Sequence, residues 1–181
     1  GILGDLAEPV FGLPKERFHL RAGDVGGGFG LKNFLFAEWV LLLWAARKTG
    51  RPVRWSAQTG EDLSAAVHGR AVRSTARLAL DADGRFLALE VDMVADMGAY
   101  LSSGGPNAVT NAASTAMGGI YDIPAIHMRS RGVFTNTCPV DAYRGAGKPE
   151  ANFVVERLID AAARRCGFDP VELRLRNVVT R

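Results

Sequence analysis

The chain has 181 residues, 48% hydrophobic and 23% charged, the balance of a folded globular protein with one sizeable core rather than a disordered one. Its net charge of +3 comes from lysines and arginines scattered without a basic block or interleaved aromatics, so nothing favours nucleic-acid binding. Two cysteines without a C-x-x-C spacing, and no apolar run both long and uncharged, argue against a disulfide framework, a zinc ribbon and a membrane helix. A reducing cytoplasm is the expected compartment.

Gly1–Pro14 reads as an approach segment with one short helical turn. No basic-then-apolar leader opens the chain, and it starts with Gly1 rather than Met. Both ends look like the interior of a longer polypeptide, so a piece of something larger is expected. Phe18–Val25 reads as a strand that feeds the turn Gly26-Gly27-Gly28-Phe29-Gly30. Four glycines in five positions let the backbone adopt positive φ and approach a ligand closely. Consecutive N–H groups there can form a concave donor array, with a following helix adding partial positive charge. An anion, or an oxygen with partial negative charge, would suit it; a tight turn that serves packing alone is the plainer alternative.

Phe34–Lys48 is expected to be a helix, apolar all round and therefore buried on both faces, with Arg47 and Lys48 in its last turn and Gly50 as its stop. Pro52–Ala57 alternates like a strand. Thr59 or Gly60 can cap a short helix with Glu61 and Asp62 in its first turn.

Ala71–Ala95 predicts a β-hairpin. A two-residue Asp83-Gly84 turn sets Leu80 opposite Leu87, Leu78 opposite Leu89 and Ala76 opposite Val91, an apolar face. The other face sets Arg77 opposite Glu90 and Thr75 opposite Asp92. Gly98–Gly119 is small and polar, either a functional loop or a short polar helix lining a cleft, with an ordinary surface loop as the plainer alternative. After a turn at Tyr121–Pro124, Ala125–Asn136 resumes strand character. Pro149–Cys166 is the clearest helix, with Pro149 at its first position and Gly167 at its end. Asp169-Pro170-x-Glu172 begins another. The expected fold is α+β with an α/β flavour: a mixed sheet holding a hairpin, with helices packed on it.

A second glycine-broken passage, Tyr143-Arg144-Gly145-Ala146-Gly147-Lys148, leads into the Pro149 helix. Arg144 can make paired bonds to phosphate or carboxylate; alternatively it pairs with Asp141 or Glu150. G-x-G-x-x-G fails at Leu31, and a P-loop fails at Leu31 and Asn33, which weakens the competing reading of a small α/β phosphate- or nucleotide-binding module.

Gly-Gly-Gly-Phe-Gly-Leu-Lys (26–32), Thr-Gly-Arg-Pro-Val-Arg (49–54), Glu61-Asp62, Ala-Tyr-Arg-Gly-Ala-Gly-Lys-Pro-Glu-Ala (142–151) and Gly-x-Asp-Pro-x-Glu-Leu-Arg-x-x-Asn (167–177) follow one another in this order. Together they resemble the molybdenum-binding large subunit of the xanthine oxidase, aldehyde oxidase and carbon monoxide dehydrogenase family, over nearly the whole chain. The resemblance implies that residues 1–181 are one fragment of a molybdopterin-binding domain, inactive by itself. It implies that Gly27, Gly28, Phe29 and Gly30 bring amides to the molybdenum oxo ligand and the pterin, and that Arg144, Gly145 and Ala146 hold the opposite side. No residue of this chain is expected to be catalytic or to ligate the metal.

The implied reaction is hydroxylation of an aldehyde or N-heterocycle with water as the oxygen source, assisted by a glutamate base beyond this chain. The implied pterin is the cytosine dinucleotide form. Iron–sulfur and FAD groups on partner subunits, beside the rest of the large subunit, would carry the electrons away. Relative to the family pattern, Asn33 stands where purine oxidisers place a glutamate, Ala112 or a neighbour where they place an arginine, and Ala146 where an aromatic often stacks. Gly145 stands where carbon monoxide dehydrogenases place a copper-binding cysteine. Neither purine nor copper is expected, and Cys138 is expected to be a packed thiol.

Overall fold

Helix α1 (Ala37–Thr49) is the longest element of the first of two units, which adjoin in sequence at Val67 and His68. The computed structural model describes residues 7–180. Residues 1–6 of the expected approach segment therefore lie outside the described residues, and its helical turn is a π-type turn at Ala7–Phe11. A 3-10 turn follows at Lys15–Arg17, and another, Leu31–Asn33, comes directly after the glycines.

The stop of α1 is as expected: Gly50 sits at φ +64 and donates its N–H to the Ala46 carbonyl at 2.9 Å. Its start is not. Phe34 and Phe36 are extended, so the helix begins at Ala37. Burial on both faces is also corrected. No residue of α1 is buried, and Trp44 is 52% exposed, because no sheet of this unit lies against it among the described residues. The short helix α2 (Thr59–Ala65) forms, but its cap is Gln58, whose N–H donates to Glu61 Oε2 at 2.8 Å in a capping box.

Two expected strands, Phe18–Val25 and Pro52–Ala57, are irregular instead. Alternation of side chains suits a strand, but a strand exists only where a neighbour takes up its ladder hydrogen bonds. Among the described residues neither segment has one.

The second unit carries the sheet. Strands β1 (Val72–Leu80) and β2 (Phe86–Asp96) form the antiparallel hairpin in the expected register, with Thr75 opposite Asp92, Ala76 opposite Val91, Arg77 opposite Glu90 and Leu78 opposite Leu89. At the turn the register shifts: Leu80 pairs with Phe86, not with Leu87. The Asp81 carboxylate accepts N–H bonds from Asp83 and Arg85, closing a turn that differs from the two-residue one. Phe86 thereby enters the core and Leu87 is turned outward.

Strand β3 (Ala125–Val133) pairs with β2 in parallel, giving the order β1-β2-β3. A parallel neighbour needs a long crossover, and the polar stretch after Asp96 provides it through two short helices, α3 (Gly105–Val109) and α4 (Asn111–Ser114). Asp92 takes its charged partners from β3, where Arg129 and Arg131 both donate to its carboxylate.

Helix α5 (Lys148–Cys166) packs on β1, and its Ala151, Val155, Ile159 and Ala163 join Leu89, Val91 and Met93 of β2 in one core cluster. These seven are at most 2% exposed and form the centre of the core. Helix α6 (Pro170–Asn177) starts as expected, with the Asp169 carboxylate accepting from the N–H groups of Val171 and Glu172 at 2.8 and 3.0 Å. It closes the core with Leu173 and holds the hairpin turn through Asn177, whose side chain accepts from Phe86 N–H and donates to the Gly84 carbonyl. The mixed α/β architecture, a hairpin in a mixed sheet with packed helices, is the one anticipated.

Candidate functional site

The first glycine loop belongs to the first unit. Phe29 and Gly30 have φ of +49 and +93, and Gly27 has +128. Lys32 and Asn33 donate their N–H groups to the Gly28 and Gly30 carbonyls at 3.3 and 3.1 Å, which closes the loop on itself. The amides of Gly28 and Gly30 donate to no backbone carbonyl among the described residues. The loop runs into a single 3-10 turn, not into a helix, so the helix-dipole contribution expected for it is absent. Lys32 is tied down by Asp62 at 2.9 Å and lies over the Phe36 ring.

The second loop belongs to the second unit and does open a helix. Gly145, Ala146 and Gly147 have φ of +100, +43 and +85, and Gly147 is the N-cap of α5. Gly147 has no substitute: a Cβ there would overlap the Ala108 carbonyl oxygen and stand 2.9 Å from the Ala113 nitrogen. The loop therefore rests on α3 and α4, which is the use the fold makes of the small polar crossover. Ala146 N–H donates to the Tyr143 carbonyl at 2.7 Å, and Lys148 N–H to the Gly145 carbonyl at 3.1 Å. The Gly145 and Gly147 amides donate to no backbone carbonyl among the described residues.

Arg144 is exposed, and among the described residues its guanidinium forms no hydrogen bond or ion pair. Both carboxylates named as its alternative partners are engaged elsewhere. Asp141, 2% exposed, accepts from the Ser102 hydroxyl, the Gly104 N–H at 3.1 Å and the Ala142 N–H. Glu150 is bound by Arg70 at 3.2 Å.

Two residues that sequence reasoning passed over shape this loop. Asp141 fastens its entrance to the polar crossover. Arg70, itself at φ +81, donates to the Arg144 carbonyl at 2.9 Å and to Glu150, with its guanidinium 5.1 Å from the Tyr143 ring centroid. Phe29, Arg70 and Ala146 are the non-glycine residues with positive φ among the described residues. Such conformations cost about 1–3 kcal/mol each and gather where function demands them. Two lie in the glycine loops and the third grips the second loop. A short Gly-Arg pair at 69–70 was the only hint in sequence.

Each loop, taken in its own unit, has a definite chemistry: both leave amides unengaged, and the second adds an unpaired guanidinium whose neighbouring carboxylates are occupied by other partners. It suits a ligand rich in phosphate and metal-bound oxygens. Among the described residues no cluster of three His, Cys, Asp or Glu side chains could hold a metal ion directly. Cys138 is a free, half-buried thiol. No helix among the described residues is long and apolar enough to cross a membrane.

Residues 3–178 match the family model of the molybdopterin cofactor-binding domain. The chain belongs to that family. This molybdopterin cofactor-binding domain is 33% identical over 170 residues to the carbon monoxide dehydrogenase large chain of Hydrogenophaga pseudoflava, covering 93% of this chain and 21% of that one. It is 35% identical over 170 residues to the nicotine 6-hydroxylase large subunit of Paenarthrobacter nicotinovorans, with the same coverage. Among solved structures, quinoline 2-oxidoreductase from Pseudomonas putida 86 aligns with a TM-score of 0.89 and 40% identity, over 96% of this chain and 22% of that one. The chain thus spans about a fifth of the length of the relatives it matches. Its place in the molybdenum-binding xanthine oxidase family, anticipated from the two glycine loops and their flanking motifs, is shown. The relatives are oxidoreductases, and a free-standing nucleotide module is not favoured.

Proposed function

We propose that residues 1–181 form one stretch of a molybdenum hydroxylase that holds the molybdenum–pterin cofactor and performs no bond-making step of its own. The observation that carries this reading is the pair of loops with the same unusual build. Each has a strained non-glycine residue followed by a positive-φ glycine, Phe29–Gly30 and Ala146–Gly147, and each leaves amides unengaged. Gly27, Gly28, Phe29 and Gly30 of the first unit, and Arg144, Gly145 and Ala146 of the second, are the residues that would hold the group. When bound, the cofactor supplies two-electron oxidation of a carbon centre with water as the oxygen source.

The chain's own contribution is electrostatic. Amides fixed in place by a closed turn need no reorganisation to face developing negative charge, and Arg144 adds a permanent positive charge. N-heterocycles are the favoured substrate class, with aldehydes next, since relatives are named for quinoline and nicotine. The relatives' names as large chains or subunits support partner subunits; iron–sulfur and flavin groups on them, taking the electrons onward, belong to the proposal. A cytosine dinucleotide form of the pterin and a cytoplasmic setting complete the proposal.

The test is elemental molybdenum and pterin fluorescence of the purified polypeptide that carries this chain, as wild type, Arg144→Ala and Gly30→Val. Arg144→Ala is expected to lower the molybdenum-to-protein ratio by about tenfold, the scale of one charge-assisted contact. Full loading of both variants would remove the two loops from the cofactor site. Residues 1–181 alone are expected to oxidise neither aldehydes nor N-heterocycles; turnover by them would place the base within this chain.

A further inference from the structure

We propose that Arg70 is the positioning residue of the second glycine loop: it fixes the direction of the Gly145 amide and keeps the Arg144 guanidinium unpaired. The inference rests on the cofactor reading of that loop. Arg70 stands 74 positions before Arg144, in the segment that enters β1, and nothing in the family resemblance singled it out.

Its three contacts bracket the turn. One guanidinium nitrogen donates to the Arg144 carbonyl at 2.9 Å, the other to Glu150 Oε1 at 3.2 Å, and the planar group lies over Tyr143. Residues 143 to 150 are thereby held from before the glycines to the first turn of α5 by one side chain. The segment behind it is fixed too. His68 N–H donates to the Pro139 carbonyl and Asp141 N–H to the His68 carbonyl, while a Cβ on Gly69 would come within 2.7 Å of Tyr143 Cβ. Arg70 thus acts from a rigid base, and its own left-handed backbone is the conformation that this base imposes.

Two consequences follow from elementary geometry. The Arg144 carbonyl and the Gly145 N–H belong to one planar trans peptide and point in opposite directions. Holding the carbonyl against Arg70 aims the N–H away from Arg70, and that N–H is one of the unengaged donors of the loop. Secondly, Glu150 is six residues along from Arg144 and could neutralise it across the turn. Arg70 occupies that carboxylate, so the charge of Arg144 remains available to an anion. A lysine reaches one of the two acceptors at a time and lacks the flat fork that stacks on Tyr143, so it replaces arginine poorly.

The test uses the full polypeptide that carries this chain, prepared with and without cofactor, as wild type, Arg70→Gln, Arg70→Lys and Arg144→Ala. Hydrogen exchange on the cofactor-free protein reads the loop directly. In Arg70→Gln the Ala146 and Lys148 amides are expected to exchange about tenfold faster, with core amides of α5 unchanged. Molybdenum content and the rate of cofactor loss, measured well below the variant's melting temperature, read its consequence: content falls and loss speeds up by about tenfold. Arg70→Lys should fall between, and serves in place of Arg70→Gln if the latter does not fold. Unchanged exchange at Ala146 and Lys148 would overturn the inference. So would faster exchange with wild-type molybdenum content in a protein where Arg144→Ala loses the metal. If Arg144→Ala also retains full metal, the cofactor reading of the loop falls, and accelerated exchange then supports Arg70 as the loop's anchor alone.

Discussion

Gly147 and Ala108 approach so closely that a methyl group on the glycine would overlap the Ala108 carbonyl oxygen. The contact joins the second glycine loop to the crossover between β2 and β3, and it adds a steric demand to the conformational one at φ +85. Gly147→Ala is therefore expected to destabilise the protein by more than about 3 kcal/mol, because neither backbone can yield without moving α3 or α5. Gly167→Ala is the comparison. Gly167 has φ +77 with open space around it, so only the conformational cost of about 1–2 kcal/mol applies. Denaturant unfolding of the two variants would separate the two costs.

Asn177 closes the motif that runs from Gly167, and its role is structural. Its side chain, 3% exposed, accepts from Phe86 N–H and donates to the Gly84 and Leu173 carbonyls, all at 2.8 Å. Asn177→Leu would strand the Phe86 N–H and the Gly84 carbonyl in the interior. We expect a loss of about 2–4 kcal/mol in denaturant unfolding, with the hairpin-turn amides losing exchange protection first.

Asp141 does for the second loop what Asn177 does for the hairpin. Removing its carboxylate in Asp141→Ala leaves the Ser102 hydroxyl and the Gly104 and Ala142 amides without their acceptor. A stability loss of about 2–4 kcal/mol is expected. Asp141→Asn keeps one acceptor oxygen and should recover part of it, as judged by thermal unfolding.

Tyr121 supplies a pH dependence at the alkaline end. Burial, reinforced by its hydrogen bond to Glu156 at 2.7 Å, pushes its phenol up to about 12 from the ordinary 10.0. The folded state holds the proton more tightly than the unfolded chain does. Its contribution to stability is thus complete below pH 10 and is lost as the pH rises through about 12. Melting temperatures between those two values should fall more steeply for the wild type than for Tyr121→Phe, and equal slopes would contradict the assignment.

Much of the second unit could be read from sequence because its determinants are local. The alternation of Thr75 to Leu80 against Leu89 to Asp92 fixes a register on its own, since a one-residue slip turns every side chain over. The stripe from Ala151 to Ala163 and the cap at Asp169 likewise state a helix without outside help. The turn at Asp81 was legible only in part, because one side-chain carboxylate took two amides and moved Phe86 inward.

The first unit shows the limit of such patterns. Phe18–Val25 and Pro52–Ala57 alternate as strands do, yet a ladder is a property of two segments, and pairing is not written in either one alone. The same holds for the site. The sequence by itself determined that two glycine-broken turns carry the exposed amides and Arg144, since glycine spacing is a local instruction to the backbone. That Arg70 and Asp141 hold the second of these turns was decided only by tertiary structure, because a hydrogen bond reaching across 74 residues depends on where a parallel strand and its crossover bring the chain back.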